Sequence, residues 1–189
     1  MHITSRRFRS NLVESRFTPI LFTLIAISMR LGLFLSVGIK QHDYQTSFVW
    51  QIISPVFSND WLSLAASTLS IFIIASVFSY INTSFTLMRF RTSLPFATVL
   101  FLLSTHPVFL RMSPNYISTI FILLSLIPLI ESYQHHAPRV FAFKSGILIA
   151  IAATFQVFTL LFVPLWWYGE KSMHGFKIKS FAAFLLGVL

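Results

Sequence analysis

The side chain best suited to chemistry in this chain of 189 residues is the Asp43 carboxylate, in the sequence Gln41-His42-Asp43-Tyr44. Asp43 is one of only 5 acidic residues, and it lies in the polar stretch 38–60 that interrupts a largely apolar or basic chain. A carboxylate there could act as a general base toward a hydroxyl acceptor or hold a divalent cation, with His42 as its neighbour. The simpler alternative is that Asp43 only solvates a loop.

Arg30 is the second candidate, because it lies in the middle of the apolar run 19–39. If that run is helical, the residue is about 16 Å from its start and about 14 Å from its end, too far for easy access to water. Its planar guanidinium could receive the phosphate of a lipid carrier. Pairing with backbone carbonyls or with a helix end is the structural alternative, and the sequence leaves both open.

His106 and Arg111 lie near the predicted outer turn of a hairpin. Being polar and outward, they could complete a pocket with Asp43. However, a turn of this composition is also what an ordinary hairpin contains. The sequence therefore supports a pocket at this turn only together with the loop that carries Asp43.

The composition decides the class of protein. With 56% hydrophobic residues, 10% charged residues, 22 Phe and a mean hydropathy of +0.78, the chain has too little polar surface for a soluble globule. We therefore predict an all-α, polytopic membrane protein. The formal charge of +9 comes from Lys and Arg that lie between apolar runs. At such positions they set the orientation of the spans and contact membrane lipids. Their placement therefore argues against nucleic-acid binding.

Several motifs are absent from the sequence. The chain contains 0 Cys, which excludes disulfides, thiol catalysis and Cys-ligated metals. It also lacks a nucleotide-binding loop, a G-x-S-x-G and an H-E-x-x-H. These absences argue against ATP-driven and common hydrolase chemistry, and we predict no metal site beyond the cation that Asp43 could hold.

The apolar runs define the elements that must position these side chains. Several Arg in residues 1–18 indicate a cytoplasmic N-terminus, so the first span leads outward to the loop 38–60. Apolar residues around Trp50 predict a short interfacial helix in that loop, and Asp60 is placed to cap the following helix. We predict one transmembrane domain over 1–189 with about six helical segments plus an incomplete last one. The spans are 19–39, 61–85, 94–110 and 116–130, and His106-Pro107 interrupts the third of them near its outer end. A long fifth run follows at 141–168, and the last run at 181–189 is cut short at about 13 Å.

The fifth run allows two interpretations. As one helix it would be about 42 Å long where about 30 Å suffices to cross, and the Lys-containing loop 169–180 would lie outside, against the positive-inside tendency. If two short helices meet near 154–156, the chain dips in and returns, and that loop is cytoplasmic. We favour the second interpretation, in which Gln156 satisfies freed backbone groups at the break.

The order of features carries a family resemblance. An outer loop with an acid followed by Tyr precedes LLSTHPVFLRMSPNYISTIFILLSLIPLI at 102–130 and, after a basic linker, KSGILIAIAATFQVFTLLFVPL at 144–165. This order resembles the N-terminal half of the C-type glycosyltransferase (GT-C) superfamily, multi-spanning enzymes that use polyprenyl-phosphate-linked sugars. It is also similar to a bacterial family of polytopic membrane proteins with this architecture.

The resemblance implies a protein of the bacterial inner membrane that transfers a sugar in cell-envelope glycan or glycolipid assembly. It makes Asp43 the counterpart of the catalytic acid in the first outer loop. A non-enzymatic scaffold or assembly factor is the alternative, which the single acid beside His42 favours, and a transporter is the third. The substrate-binding residues that we predict around Asp43 are Arg30, His42, Tyr44, His106 and Arg111.

Overall fold

A computed structural model describes residues 18–39, 47–85, 93–133, 138–174 and 178–189. All regular structure in these ranges is helical, which confirms the all-α prediction there. The α-helices are α1 (Thr18–Val37), α2 (Phe48–Ile53), α3 (Asp60–Ser84), α4 (Leu94–Ser104), α5 (Pro114–Ser132), α6 (Pro138–Phe155), α7 (Val163–His174) and α8 (Ile178–Val188). Short 3₁₀ helices cover Ser54–Ser58, Pro107–Leu110 and Val157–Phe162.

Three of these helices are long and apolar enough to cross a membrane. They are α1, α3 and α5, with 20, 25 and 19 residues. A helix of 20 residues rises about 30 Å, which matches the hydrocarbon core of a bilayer. The three helices are consistent with the predicted membrane protein, and their bounds lie close to the predicted spans at 19–39, 61–85 and 116–130.

The third predicted span, 94–110, is interrupted near its end, as the His106-Pro107 pair predicts, but its α-helical part is shorter than expected. Helix α4 has 11 residues, which rise only about 16 Å, roughly half of a bilayer core. Pro107 explains why it stops, because a proline disfavours helical backbone at the residue before it. That residue, His106, has extended backbone with φ −108° and ψ 132°. The chain then makes a 3₁₀ turn before α5 begins.

The fifth run is broken at the predicted place. Helix α6 ends at Phe155, Gln156 is extended with φ −146° and ψ 106°, and a 3₁₀ turn leads into α7. The structure therefore has two helices here, as the favoured interpretation required. The side of the membrane on which the loop 169–180 lies stays a prediction.

The short helix predicted around Trp50 is present as α2. Trp50 is buried and α2 packs against α6, whereas Phe48 and Ile52 are exposed. The predicted cap of α3 is displaced by one residue. Asn59, not Asp60, is the N-cap, because its Oδ1 accepts a hydrogen bond of 3.0 Å from the backbone N–H of Trp61.

The contacts group the chain into two compact units, and each is described by itself. Unit 1 lies within 1–43 and 57–112, and in it α4 packs against α1 and α3. Unit 2 lies within 44–56 and 113–189, and in it α6 packs against α5 and α8. The apolar core of unit 2 is formed by Leu129, Ala142, Ile149, Trp166 and Phe184.

Helices α6 and α8 approach closely at two glycines. A Cβ built on Gly187 would lie 2.5 Å from the backbone oxygen of Phe143, and one on Gly146 would meet the backbone oxygen of Phe184. Such distances leave no room for any side chain. Small residues of this kind let helix backbones pack directly, which is how helices associate in membranes without a hydrophobic driving force.

Candidate functional site

Arg30 is the most deeply buried charged side chain in the part of the chain that the structure describes, with 2% of its surface exposed. It lies in α1, about 18 Å from Thr18 and about 10 Å from Val37 along the helix. Its Nε donates to Thr68 Oγ1 at 2.9 Å and its Nη2 to Ser67 Oγ at 2.5 Å. These two bonds tie α1 to α3.

The same guanidinium also reaches the backbone that follows α4. Nη2 donates to the carbonyl oxygen of Phe109 at 2.9 Å, and Nη1 donates to that of Leu103 at 3.5 Å. We call residues 105–112 the first break. Its carbonyl groups are not all used by a regular helix, and at the level of the interior of α1 water is not expected to serve them. Arg30 takes the place of water for the carbonyl of Phe109 in this break and for that of Leu103 just before it.

A row of serines on α3 completes the support of the first break. Ser63, Ser67 and Ser70 are spaced by four and three residues, which places them on one face of the helix. Ser63 Oγ accepts from the backbone N–H of Met112 at 2.8 Å, and Ser67 Oγ donates to the carbonyl oxygen of Leu110 at 2.6 Å. The first break is thus held by side chains from both α1 and α3.

This geometry favours the structural interpretation of Arg30. A guanidinium has five N–H donors, and at least four of those of Arg30 point at protein oxygens. A phosphate would have to displace bonds that the fold already makes. The role of Arg30 in binding a lipid phosphate stays a prediction, and few of its N–H groups remain to donate to a phosphate.

His106 and Arg111, the two candidates from the hairpin turn, both lie in the first break. His106 is exposed, and its Nδ1 accepts from the backbone N–H of Val108 at 3.3 Å, so the imidazole caps the 3₁₀ turn. Arg111 is half-buried. The structure therefore brings three predicted residues, Arg30, His106 and Arg111, to one break.

The other predicted site residues lie outside the described residues. They are Asp43, His42 and Tyr44, and with them the cation that Asp43 could hold. Within the described ranges no group of three His, Asp or Glu could hold a metal ion. The catalytic part of the prediction therefore rests on the sequence.

A cavity of about 250 Å³ lies beside Arg30 in unit 1. It is bounded by residues of α1, α3 and α4, among them Ala26, Arg30, Ile71 and Leu100. Its walls are mainly aliphatic, and the polar groups at its edge are hydroxyls and the guanidinium. The cavity and the first break thus share Arg30 but are built mostly from different residues.

Unit 2 holds its own interruption, residues 156–162, which we call the second break. The carbonyl oxygen of Ala152 accepts from the backbone N–H of Gln156 and from Ser118 Oγ, each at 3.0 Å. Thr159 Oγ1 lies 3.4 Å from the same oxygen but donates its one proton over a shorter distance to the carbonyl of Gln156. The carbonyl of Gln156 accepts from the backbone N–H of Thr159 at 3.0 Å. The Gln156 side chain makes no capping bond, so its backbone, not its amide as expected, takes part here.

Unit 2 also buries an acid near a hydroxyl. Glu170 and Ser180 are both buried, and neither Glu170 Oε1 nor Ser180 Oγ has a hydrogen-bond partner among the described residues. Burial raises the pKa of the Glu170 carboxyl above its ordinary value, and the nearby Ser180 hydroxyl offsets part of that rise. The pair lies in α7 and α8, outside the three candidate spans.

The sequence did not identify the residues that hold the first break. Ser63, Ser67 and Thr68 look like ordinary small residues of an apolar helix. Their spacing on one face was a usable signal, because serine hydroxyls inside a span need an acceptor and can bond to a neighbouring segment. The segment that this face contacts could not be deduced, because it depends on how α3 packs against the backbone after α4.

No family model matches the chain, and neither the curated proteins nor the solved structures contain a match to it.

Proposed function

We propose that this chain is a membrane-embedded protein of GT-C-like architecture that transfers a sugar from a polyprenyl-phosphate donor during assembly of envelope glycan or glycolipid. It would reside in the bacterial inner membrane with its N-terminus in the cytoplasm. The observation that supports this proposal most is the interruption of the fifth run between α6 and α7, a feature that we associate with a transferase-like architecture. Three helices long enough to span a bilayer support the membrane part.

In this proposal Asp43 acts as the general base or binds the cation, with His42 and Tyr44 beside it. Arg111 is the better candidate for the phosphate, because the N–H groups of Arg30 already donate to protein oxygens. His106 would line the same pocket, where its exposed imidazole can still contact a ligand through Nε2.

The experiment that tests this function is the substitution Asp43→Asn, which keeps the shape of the side chain and removes its charge. Membranes that contain the wild-type protein should transfer labelled sugar from a polyprenyl-phosphate donor, and membranes that contain the variant should lose that transfer. The amount of protein in the membrane should not change, since the substitution is nearly isosteric.

Asp60→Asn is the matched control, because Asp60 is an exposed acid at the start of α3 and has no role in the proposed chemistry. It should transfer sugar at the wild-type rate. Full transfer by the Asp43→Asn protein at equal abundance would reject the enzyme proposal.

A non-enzymatic scaffold is the second candidate, and the exposure of its tryptophans indicates which of them could form an interface. Trp61 is exposed, with its ring 4.7 Å from that of Phe34, whereas Trp50 is buried in unit 2. A scaffold would therefore depend on Trp61 at its surface and tolerate Asp43→Asn.

A transporter is the third alternative, and it would be expected to have corresponding helix interruptions in two matching halves. The two described breaks follow α4 in unit 1 and α6 in unit 2.

A further inference from the structure

The cavity beside Arg30 has a buried aliphatic interior. Ala26, Ile71 and Leu100 line it, and each exposes less than a twentieth of its surface, at 4%, 2% and 3%. They come from α1, α3 and α4, so the cavity forms where these three helices pack together. The cavity has a volume of about 250 Å³ and is partly open to the surface.

The hydroxyl groups at the cavity already use their protons within the protein. Thr23 Oγ1 donates to the carbonyl of Pro19 at 2.7 Å, and Thr68 Oγ1 donates to that of Leu64 at 2.7 Å. Ser104 Oγ does the same within α4, donating at 2.6 Å to a carbonyl one turn earlier. A hydroxyl has one proton to donate. A phosphate or sugar in this cavity would therefore find few donors, whereas a hydrocarbon requires none.

The residues at the edge of the cavity are apolar and exposed. Ile27 of α1 and Leu69 and Phe72 of α3 border it, and their exposed fractions are 39%, 62% and 39%. Both helices are candidate membrane spans. Apolar side chains that are exposed on a membrane span face lipid chains, so the cavity is continuous with the lipid-facing surface of unit 1.

We propose that this cavity is a binding site for one acyl chain of a bilayer phospholipid, which enters sideways between α1 and α3. An apolar cavity excludes water and takes up apolar ligands. Because its hydroxyls are already bonded, it cannot select one hydrocarbon by a polar group. The occupant is then set by mass action, and phospholipid chains are the most concentrated hydrocarbon around a membrane span. This site does not depend on sugar transfer.

The test uses the full-length protein in nanodiscs that contain a phospholipid with a diazirine on one acyl chain. After irradiation, mass spectrometry locates the adducts. We expect adducts at Leu100, which is buried and lines the cavity, as well as at Leu24, which is exposed on α1. Ile149, fully buried in the core of unit 2, should carry none. Adducts at Leu100 no more frequent than those at Ile149 would overturn the proposal.

A filling variant and a second probe separate the remaining outcomes. Ala26→Phe should abolish adducts at Leu100 and leave those at Leu24 unchanged, and Ala26→Leu serves if the larger side chain prevents folding. Ser28→Phe is the matched control, because Ser28 is exposed on α1 and does not line the cavity, and this variant should keep the Leu100 adducts. Labelling of Leu100 by a diazirine polyprenyl lipid but not by the phospholipid probe would contradict the acyl-chain assignment.

Discussion

At both breaks the chain leaves the α-helix, and the backbone groups freed there are hydrogen-bonded in different ways. The first break is held by side chains from other helices, and the partners of Arg30 at Leu103 and Phe109 are 73 and 79 residues away in the chain. The second break is held mostly by groups within seven residues, with Ser118 as the one longer-range donor among the described contacts. The first break therefore depends on the assembly of unit 1, whereas the second depends mainly on its local sequence.

The two breaks also differ in the charge of the side chains that donate hydrogen bonds to them. A guanidinium can serve several carbonyls at once through its fixed fork of donors, which suits a break with scattered acceptors. In the second break the described donors are neutral, because the carbonyls of Ala152 and Gln156 accept from backbone N–H groups and from the hydroxyls of Ser118 and Thr159. A buried charge inside a span is thus explained by the number of backbone groups it satisfies, without a ligand.

The largest effect should come from replacing the donor that serves the first break. Arg30→Met removes four hydrogen bonds, and we expect it to lower the free energy of unfolding by about 2 to 4 kcal/mol, because buried carbonyls lose a charged donor. Thermal or denaturant unfolding in detergent measures this. Arg111→Met is the control, since it removes a half-buried Arg from the same break, and an equal loss in both variants would refute the role of Arg30.

A smaller loss in the free energy of unfolding should follow from a substitution in unit 2, where α6 and α8 pack closely. Gly146→Ala places a methyl group against the backbone of α8, and separating the helices should cost about 1 to 3 kcal/mol. Unfolding measurements on Gly32→Ala provide the control, because a Cβ at Gly32 meets nothing within 4 Å. If both glycine variants are equally stable, close packing is not what holds unit 2.

The serines offer a direct comparison of the two breaks. Ser67→Ala removes an acceptor of Arg30 and the donor to Leu110, and we expect a loss of about 1 to 2 kcal/mol in unfolding experiments. Ser118→Ala removes one of two donors to the carbonyl of Ala152 and disturbs no charged group, so its loss should be about half of that or less. A larger loss for Ser118→Ala would reverse the proposed contrast between the breaks.

The smallest effect concerns pH and is confined to unit 2. Because burial raises the pKa of Glu170 from its ordinary value of 4.5, the folded state binds this proton more tightly than the unfolded state. Protonated Glu170 therefore favours the folded state. This stabilisation of the folded state is complete at pH values below the ordinary pKa and is lost as the pH rises through the raised pKa. Melting temperatures of the wild type should fall over that range, and those of Glu170→Gln should not. Glu131→Gln, which replaces a half-buried acid in α5, should melt like the wild type, and a flat wild-type profile would exclude this effect.

The sequence predicted the long elements well and the contacts of the first break poorly. Long apolar runs determine α1, α3 and α5 by length alone, and the excess length of the run 141–168 was enough to predict the second break. The interruption near His106-Pro107 was also predicted, although α4 already ends at Ser104. The partners of Arg30 could not be named, because they depend on how α1, α3 and the backbone after α4 pack in three dimensions.

Hydrogen–deuterium exchange of the Arg30→Met protein tests most directly whether a side chain of α1 holds the first break. We predict faster exchange in peptides that cover 105–112, including the Met112 amide that bonds to Ser63, and unchanged exchange in peptides that cover 156–162. Unchanged exchange at 105–112, or an equal increase at both breaks, would contradict this role of Arg30.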